Sequence, residues 1–189
     1  MEINLAEHTG KGMIEKNIYS FDSFLRILYT YLLLEEQGFL IHSSGVVKKE
    51  QAYLFPGVSL AGKSTIARLS AGSFILSDEV VAVRKIGTQY RAYSTPFSGE
   101  LDLPAQNLSF PVNGVYFPVK SQKNILSALT LKQSLPKFLT NLLFFNSEKH
   151  LLEKIFFIAE DFLSAVPAYE MQFTRHRAFW KIILAPPLP

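Results

Sequence analysis

The chain contains no cysteine among its 189 residues and only one tryptophan. Without cysteine there can be no disulfide and no thiolate metal site, so a disulfide-stabilised fold is excluded. A structural zinc would have to use the four histidines, which are scattered and lack a ligand spacing. We therefore expect no structural metal.

The sequence also lacks an apolar run of the roughly 20 residues that a membrane span requires. The longest candidate, residues 25–34, is interrupted by Arg26 and closed by Glu35 and Glu36. The amino terminus has neither the basic start nor the apolar stretch of a secretory signal. We expect a cytoplasmic protein without a membrane partner.

Charge of one sign is not concentrated anywhere. The net charge of +3 comes from 19 basic and 16 acidic residues spread along the chain. A nucleic-acid-binding surface needs a stripe of lysine and arginine, so no nucleic-acid partner is expected. With 48% hydrophobic residues and no repeat or linker, we expect one domain over 1–189, with a helical lead-in over about 1–38.

The apolar spacing predicts an α/β protein. Residues 22–36 have a helical pattern, with Ser20 or Asp22 as the cap. The runs 39–47 and 51–55 flank a short polar turn, which predicts an antiparallel hairpin. Other strands are expected over 74–76, 80–83, 90–93, 112–119 and 169–173, and helices over 63–70, 133–145, 147–165 and 179–184.

A glycine-rich loop motif, Gly, four residues, Gly-Lys-Ser, follows the predicted hairpin. Gly57 and Gly62 allow successive amide N–H groups to point at phosphate oxygens. Lys63 can then reach the outer phosphates, and the Ser64 hydroxyl can coordinate magnesium. A strand before the loop and a helix after it favour nucleotide binding over a chance match. The residues expected to bind ATP are Gly57, Val58, Ser59, Leu60, Ala61, Gly62, Lys63, Ser64 and Thr65.

An acidic pair, Asp78-Glu79, follows the P-loop helix and one short strand. If that strand runs parallel to the one before the P-loop, both ends meet at the same sheet edge. Asp78 is then expected to hold magnesium, to accept a proton from a hydroxyl nucleophile, or to do both, with Glu79 as a further metal ligand. The alternative is a solvated acidic turn.

These motifs, together with Ile41-His42-Ser43 and Leu76-Ser77-Asp78-Glu79, resemble the catalytic domain of the HPr kinase/phosphorylase family. The resemblance implies a single-domain P-loop fold similar to phosphoenolpyruvate carboxykinase, with a mixed sheet and flanking helices. It also implies that His42 steadies the phosphate or the acidic pair, although a structural histidine is an equal alternative. Known relatives form rings, which leaves a homo-oligomer open.

Two further strings, 94–100 and 166–173, resemble stand-alone HPr-kinase-like proteins encoded beside peptide-modifying enzymes. Glu100 is expected to contact the substrate or magnesium, with a solvated loop carboxylate as the alternative. The family usually has two aspartates where this chain has Asp78-Glu79. The arginine-containing signature of the bifunctional enzymes is missing from residues 96–103, which leaves open whether the chain has phosphorylase activity.

The predicted function is that of an ATP- and magnesium-dependent kinase acting on a serine-type hydroxyl of a protein or peptide. Lys63, Asp78 and His42 are its candidate catalytic residues. Two alternatives stay open: a kinase of a free small molecule such as serine, and a nucleotide-binding regulatory module without catalysis.

Overall fold

The computed structural model describes residues 2–4, 7, 9–97, 99–101, 103 and 106–185. Eleven strands and five helices follow one another in this part of the chain. They are β1 (Glu2–Asn4), β2 (Thr9–Lys11), α1 (Ile18–Glu35), β3 (Gly38–Lys48), β4 (Gln51–Pro56), α2 (Lys63–Leu69), β5 (Phe74–Ser77), β6 (Val80–Ile86), β7 (Gln89–Tyr93), β8 (Ser109–Lys120), β9 (Ile125–Ala128), α3 (Leu131–Leu139), β10 (Leu142–Leu143), α4 (Lys149–Ala165), β11 (Ala168–Phe173) and α5 (Phe179–Leu184).

Strand β3 is the central strand of the fold, and its neighbours change halfway along both edges. On one edge, β5 pairs antiparallel with the carboxyl half of β3 and β6 with the amino half. Gly45 pairs with Ser77 and His42 with Val80. Residues 78–79 therefore interrupt what is otherwise one long strand. On the other edge, β4 pairs with the carboxyl half of β3, and β10 pairs with the amino half.

The carboxyl half of β3 belongs to a mixed sheet with the order β5-β3-β4-β8-β11-β9. The predicted hairpin is confirmed, because β3 and β4 are antiparallel neighbours. Since β5 is also antiparallel to β3, β4 and β5 run in the same direction. β8 and β11 share that direction, because β8 is parallel to both β4 and β11. The carboxyl ends of four strands therefore meet at one edge of this sheet.

The amino half of β3 belongs to a second set of pairings, β10-β3-β6-β7-β8, which returns to β8. Alternate residues of β3 face opposite sides. Phe39 and Ile41 enter the largest core cluster, where Phe39 contacts Phe138 of α3 and Phe162 of α4 edge to face. The predicted mixed α/β architecture with flanking helices is confirmed.

The opposite face of β3 carries two separate clusters. Leu40 belongs to a small cluster packed with α1, and Val46 to an aromatic cluster packed with α2 and α5. His42 lies between them on the strand and is only partly buried. The gap between the two clusters gives this face room for a cavity.

Two predicted helices need correction. The helix expected over 133–145 ends at Leu139, because residues 142–143 instead pair with β3. Helix α1 begins at Ile18, where the side chain of Asn17, rather than Ser20 or Asp22, caps the amide of Ser20. Strand β9 was not predicted.

Among the described residues of the amino-terminal lead-in, the helical part is α1, and the antiparallel pair β1 and β2 precedes it. Within the described ranges, no helix has the length and apolar character needed to cross a bilayer.

Candidate functional site

The predicted P-loop connects the end of β4 to the start of α2. Gly62 adopts φ +110°, and a Cβ there would lie 2.7 Å from Cζ of Phe173. A Cβ on Gly57 would lie 2.7 Å from Cβ of Ala61. Leu60 also has a positive φ of 67°. The two motif glycines are therefore required sterically, because a side chain at either one would collide with the fold.

Lys63, the first residue of α2, is 7% exposed. Its Nζ donates hydrogen bonds to the carbonyl oxygens of Gly57 at 2.7 Å and Val58 at 3.1 Å. Burial lowers the pKa of Lys63, and the negative charges of Glu79 and Glu100 act in the opposite direction. The ammonium group is thus held inside the loop by two backbone carbonyl oxygens.

A cavity of about 560 Å³ opens beside the loop. It contains most of the predicted site residues together with basic residues that were not predicted. Its lining consists of His42, Ser59, Leu60, Gly62, Lys63, Ser64, Thr65, Arg68, Glu79, Gly99, Glu100, Lys120 and Arg175. The predicted residues Gly57, Val58, Ala61 and Asp78 are not part of this lining.

Glu79 is the member of the acidic pair that faces the cavity. Its Oε2 lies 3.3 Å from Nε2 of His42, and its Oε1 lies 4.0 Å from Nη1 of Arg26 on α1. The hydrogen bond from His42 is the main cause that lowers the pKa of Glu79, helped by the positive charges of His42, Arg26 and Lys63 and opposed by burial. The side chain of Glu79 is 32% exposed, so it is accessible as an ionised carboxylate.

Asp78 is buried and does not line the cavity. It is 2% exposed, and its carboxylate accepts backbone N–H bonds from Gly99 at 3.2 Å, Glu100 at 2.7 Å and Leu101 at 3.0 Å. These bonds hold the loop that carries Glu100 to the cavity rim, where Glu100 pairs with Arg68 at 2.7 Å. The base role expected for Asp78 stays a prediction, and the geometry gives Asp78 a structural task.

Four basic residues at or near the cavity were missed by sequence reasoning: Arg26, Arg68, Lys120 and Arg175. Lys120 ends β8, and Arg175 follows β11. Both strands were predicted, so the rule that ligands bind at the carboxyl ends of parallel strands could have found these two residues. Applying that rule requires knowing that β4, β8 and β11 pair in parallel, and the sequence does not reveal this pairing.

In the part of the chain that the structure describes, no three histidine, aspartate or glutamate side chains come together as a metal cage. Ser64 and Glu79 nevertheless line the same cavity. Magnesium is commonly held by one or two protein oxygens together with substrate phosphates, so a hydroxyl and one carboxylate fit a metal that arrives with a nucleotide.

No protein-family model and no curated protein sequence matches this chain. Among solved structures, the HPr(Ser) kinase/phosphatase from Coxiella burnetii is similar over 76% of this chain and 90% of its own, with 11% sequence identity and a TM-score of 0.41. This is a distant relationship, and it assigns no role to any residue.

Proposed function

We propose that this protein binds a nucleoside triphosphate with magnesium and transfers its terminal phosphoryl group to a hydroxyl of the serine type. The observation that supports this most strongly is the placement of the Lys63 ammonium, the Ser64 hydroxyl and the Glu79 carboxylate around one cavity. Phosphoryl transfer needs little more than positioned reactants, neutralised phosphate charge and a proton acceptor.

Each of these three groups has a task in the proposed reaction. Lys63 neutralises charge on the outer phosphates, while the amides of the loop position them. Glu79, held by His42, accepts the proton of the acceptor hydroxyl. The hydroxyl oxygen bonds to the terminal phosphorus, the bond from that phosphorus to the bridging oxygen breaks, and the nucleoside diphosphate leaves. Asp78 is proposed to hold the loop at Gly99 and not to act as the base.

Magnesium would be held by Ser64 and Glu79 together with phosphate oxygens, and when bound it supplies further neutralisation of phosphate charge. This gives Glu79 two tasks, as metal ligand and as base. A single carboxylate has two oxygens and can serve both.

The acceptor class is proposed from the shape of the rim. The side chains of Arg68 and Glu100 are 55% and 63% exposed, so the cavity is open on this side. An open rim favours a serine carried by a protein or peptide over a free small molecule, which would favour a closed pocket. Glu100 then contacts the acceptor or its hydroxyl-bearing segment.

Calorimetric titration with ATP and magnesium tests the binding step. The wild-type chain is expected to bind, and Lys63→Met to lose most of the affinity, since an apolar side chain of similar length cannot pair with phosphate. Lys123→Met, an exposed lysine outside the cavity, is the matched control. An absence of magnesium-dependent binding by the wild-type chain would overturn the proposal.

The transfer step is tested by mass spectrometry of a serine-containing peptide library incubated with ATP and magnesium. Glu79→Gln is expected to bind ATP and to lose transfer. If the wild-type chain binds ATP tightly but phosphorylates no peptide and no free serine, the protein is the non-catalytic nucleotide-binding module, and the kinase proposal is wrong.

A further inference from the structure

A second group of positive charge, formed by Lys120 and Arg175, lines the cavity apart from Lys63. Lys120 is the last residue of β8, and Arg175 lies two residues beyond the end of β11. We call these two residues the basic pair. The chain brings them together because β8 and β11 are parallel neighbours whose carboxyl ends meet at the cavity edge.

The charge of the basic pair is not compensated by a carboxylate. Among the residues that the structure describes, no carboxylate lies within 4.0 Å of either cation. The other arginines near the site differ in this respect, because Arg68 pairs with Glu100 and Arg26 with Asp22. Two uncompensated cations in one cavity attract an anion.

The basic pair and Glu79 lie on opposite sides of the P-loop strand. In the sheet order, β4 stands between β5 and β3 on one side and β8 and β11 on the other. With strands about 4.8 Å apart, Glu79 lies roughly 10 Å to one side of the end of β4, and Arg175 roughly 10 Å to the other.

The cavity offers no surface for stacking a base. Its described lining contains no phenylalanine, tyrosine or tryptophan, and its only large apolar side chain is Leu60, which is 87% exposed. Nucleotide recognition through the base usually relies on aromatic stacking or an apolar pocket. The means of recognition that remain in this cavity are charge and hydrogen bonds from hydroxyl and amide groups, and both suit phosphates.

We propose that the basic pair is an anion subsite for the phosphates of the donor that are not transferred. The donor is then bound through its polyphosphate chain, and its nucleoside contributes little. This inference rests on the proposed function, because the acceptor hydroxyl has to lie beside Glu79. The far end of the phosphate chain is therefore directed toward Lys120 and Arg175.

The test compares the affinities of ATP and inorganic tripolyphosphate, each with magnesium, by calorimetry. Lys120→Ala and Arg175→Ala are each expected to lower the affinity for both ligands about five- to tenfold, since each removes a charge-assisted contact with phosphate. The double variant should lower both affinities further. Lys123→Ala and Arg177→Ala, which remove the same charges from exposed positions outside the cavity, should leave both affinities unchanged.

Tripolyphosphate should bind the wild-type chain within about tenfold of ATP, since little affinity is expected from the base. The inference is overturned if the double variant binds both ligands like the wild type, or if tripolyphosphate fails to bind while ATP binds. Both results are compatible with the proposed function, provided that Lys63→Met loses its affinity for ATP. If the wild-type chain binds neither ligand, the proposed function itself fails.

Discussion

Gly99 lies so close to the Asp78 carboxylate that a Cβ at position 99 would stand 2.7 Å from both carboxylate oxygens. The same contact carries a hydrogen bond from the Gly99 N–H to Oδ1. No side chain fits between the two residues. The buried carboxylate and the glycine are therefore one structural unit, which determines where Glu100 enters the cavity.

This unit predicts strongly non-additive effects on stability. Asp78→Ala removes the acceptor for three amides and is expected to lower the free energy of unfolding by about 1–3 kcal/mol. Gly99→Ala should cost a similar amount, because its methyl group collides with the carboxylate. In the double variant the collision is gone, so the second substitution should cost little. Urea denaturation of the four proteins measures the cycle, and full additivity would show that the unit does not exist.

The sequence predicts those features of the site that depend on one short segment, and it does not predict those that depend on how distant segments pack. The loop from Gly57 to Ser64 was predicted because its geometry depends on glycines at a fixed spacing within one segment. The choice between Asp78 and Glu79 was not predictable. The two residues are adjacent, and which one faces the cavity depends on how the chain passes from β5 to β6 along β3.

Contacts between distant segments were missed for the same reason. Arg26 lies 53 residues before Glu79, and no local pattern connects α1 to the break between β5 and β6. The two-residue strand β10 has no alternation of its own, and only its pairing with Leu40 and Ile41 makes it a strand. The helical pattern over 133–145 could not indicate that this pairing ends α3.

The contact between His42 and Glu79 predicts a shift in the pH dependence of transfer. Because the hydrogen bond from His42 lowers the pKa of Glu79, the proposed base stays ionised to lower pH than an ordinary glutamate. The proposed transfer reaction should therefore keep its rate to lower pH in the wild type than in a variant without this bond. In His42→Ala the pKa of Glu79 rises, and the acid limb of the rate profile moves to higher pH.

The lowered pKa of Glu79 also affects the stability of the fold in the same direction: stability, like transfer, is lost toward low pH. A depressed carboxylate pKa stabilises the fold above the pKa of the unfolded chain, and this contribution is lost as the pH falls through the lower folded value. Carbon-detected NMR of the Glu79 carboxyl measures its pKa directly, without an activity assay. His150→Ala, at an exposed pair with Glu148, is the control. An unchanged Glu79 pKa in His42→Ala would contradict the assignment.

Trp180 connects α5 to α2, the helix that follows the predicted P-loop. Its Nε1 donates to Oγ of the buried Ser70 at 2.9 Å, and Ser70 Oγ donates to the carbonyl of Ile66 in α2 at 2.7 Å. Trp180→Phe loses this hydrogen bond and part of the indole packing. We expect the free energy of unfolding to fall by about 1–3 kcal/mol.

The contribution of the indole hydrogen bond to stability can be separated from that of packing by combining Trp180→Phe with Ser70→Ala. A coupling free energy of about 1 kcal/mol between the two substitutions is expected, because both remove the same bond. Circular dichroism during urea denaturation is the appropriate signal, since Trp180 is the only tryptophan and its fluorescence is lost in the variant. A coupling near zero would mean that Trp180 contributes through packing alone.

Arg26 is predicted to act on Glu79 without contacting the nucleotide. Its guanidinium is fixed by Asp22 at 2.7 Å and lies over the ring of Phe97, 4.7 Å from the centroid, while its Nη1 is 4.0 Å from Glu79.

Arg26→Met keeps the apolar packing of the side chain and removes the charge. The expected result is a higher pKa of Glu79, so that the acid limb of the transfer rate moves to higher pH, with an unchanged ATP affinity, because the carboxylate loses a positive neighbour. Arg26→Lys should restore part of the shift in pKa. Arg84→Met, which removes an exposed pair with Glu36, should leave the pKa of Glu79 as it is in the wild type. A parallel loss of ATP affinity in Arg26→Met, or the absence of any rescue by lysine, would show that Arg26 acts by holding α1 in place and not through its charge.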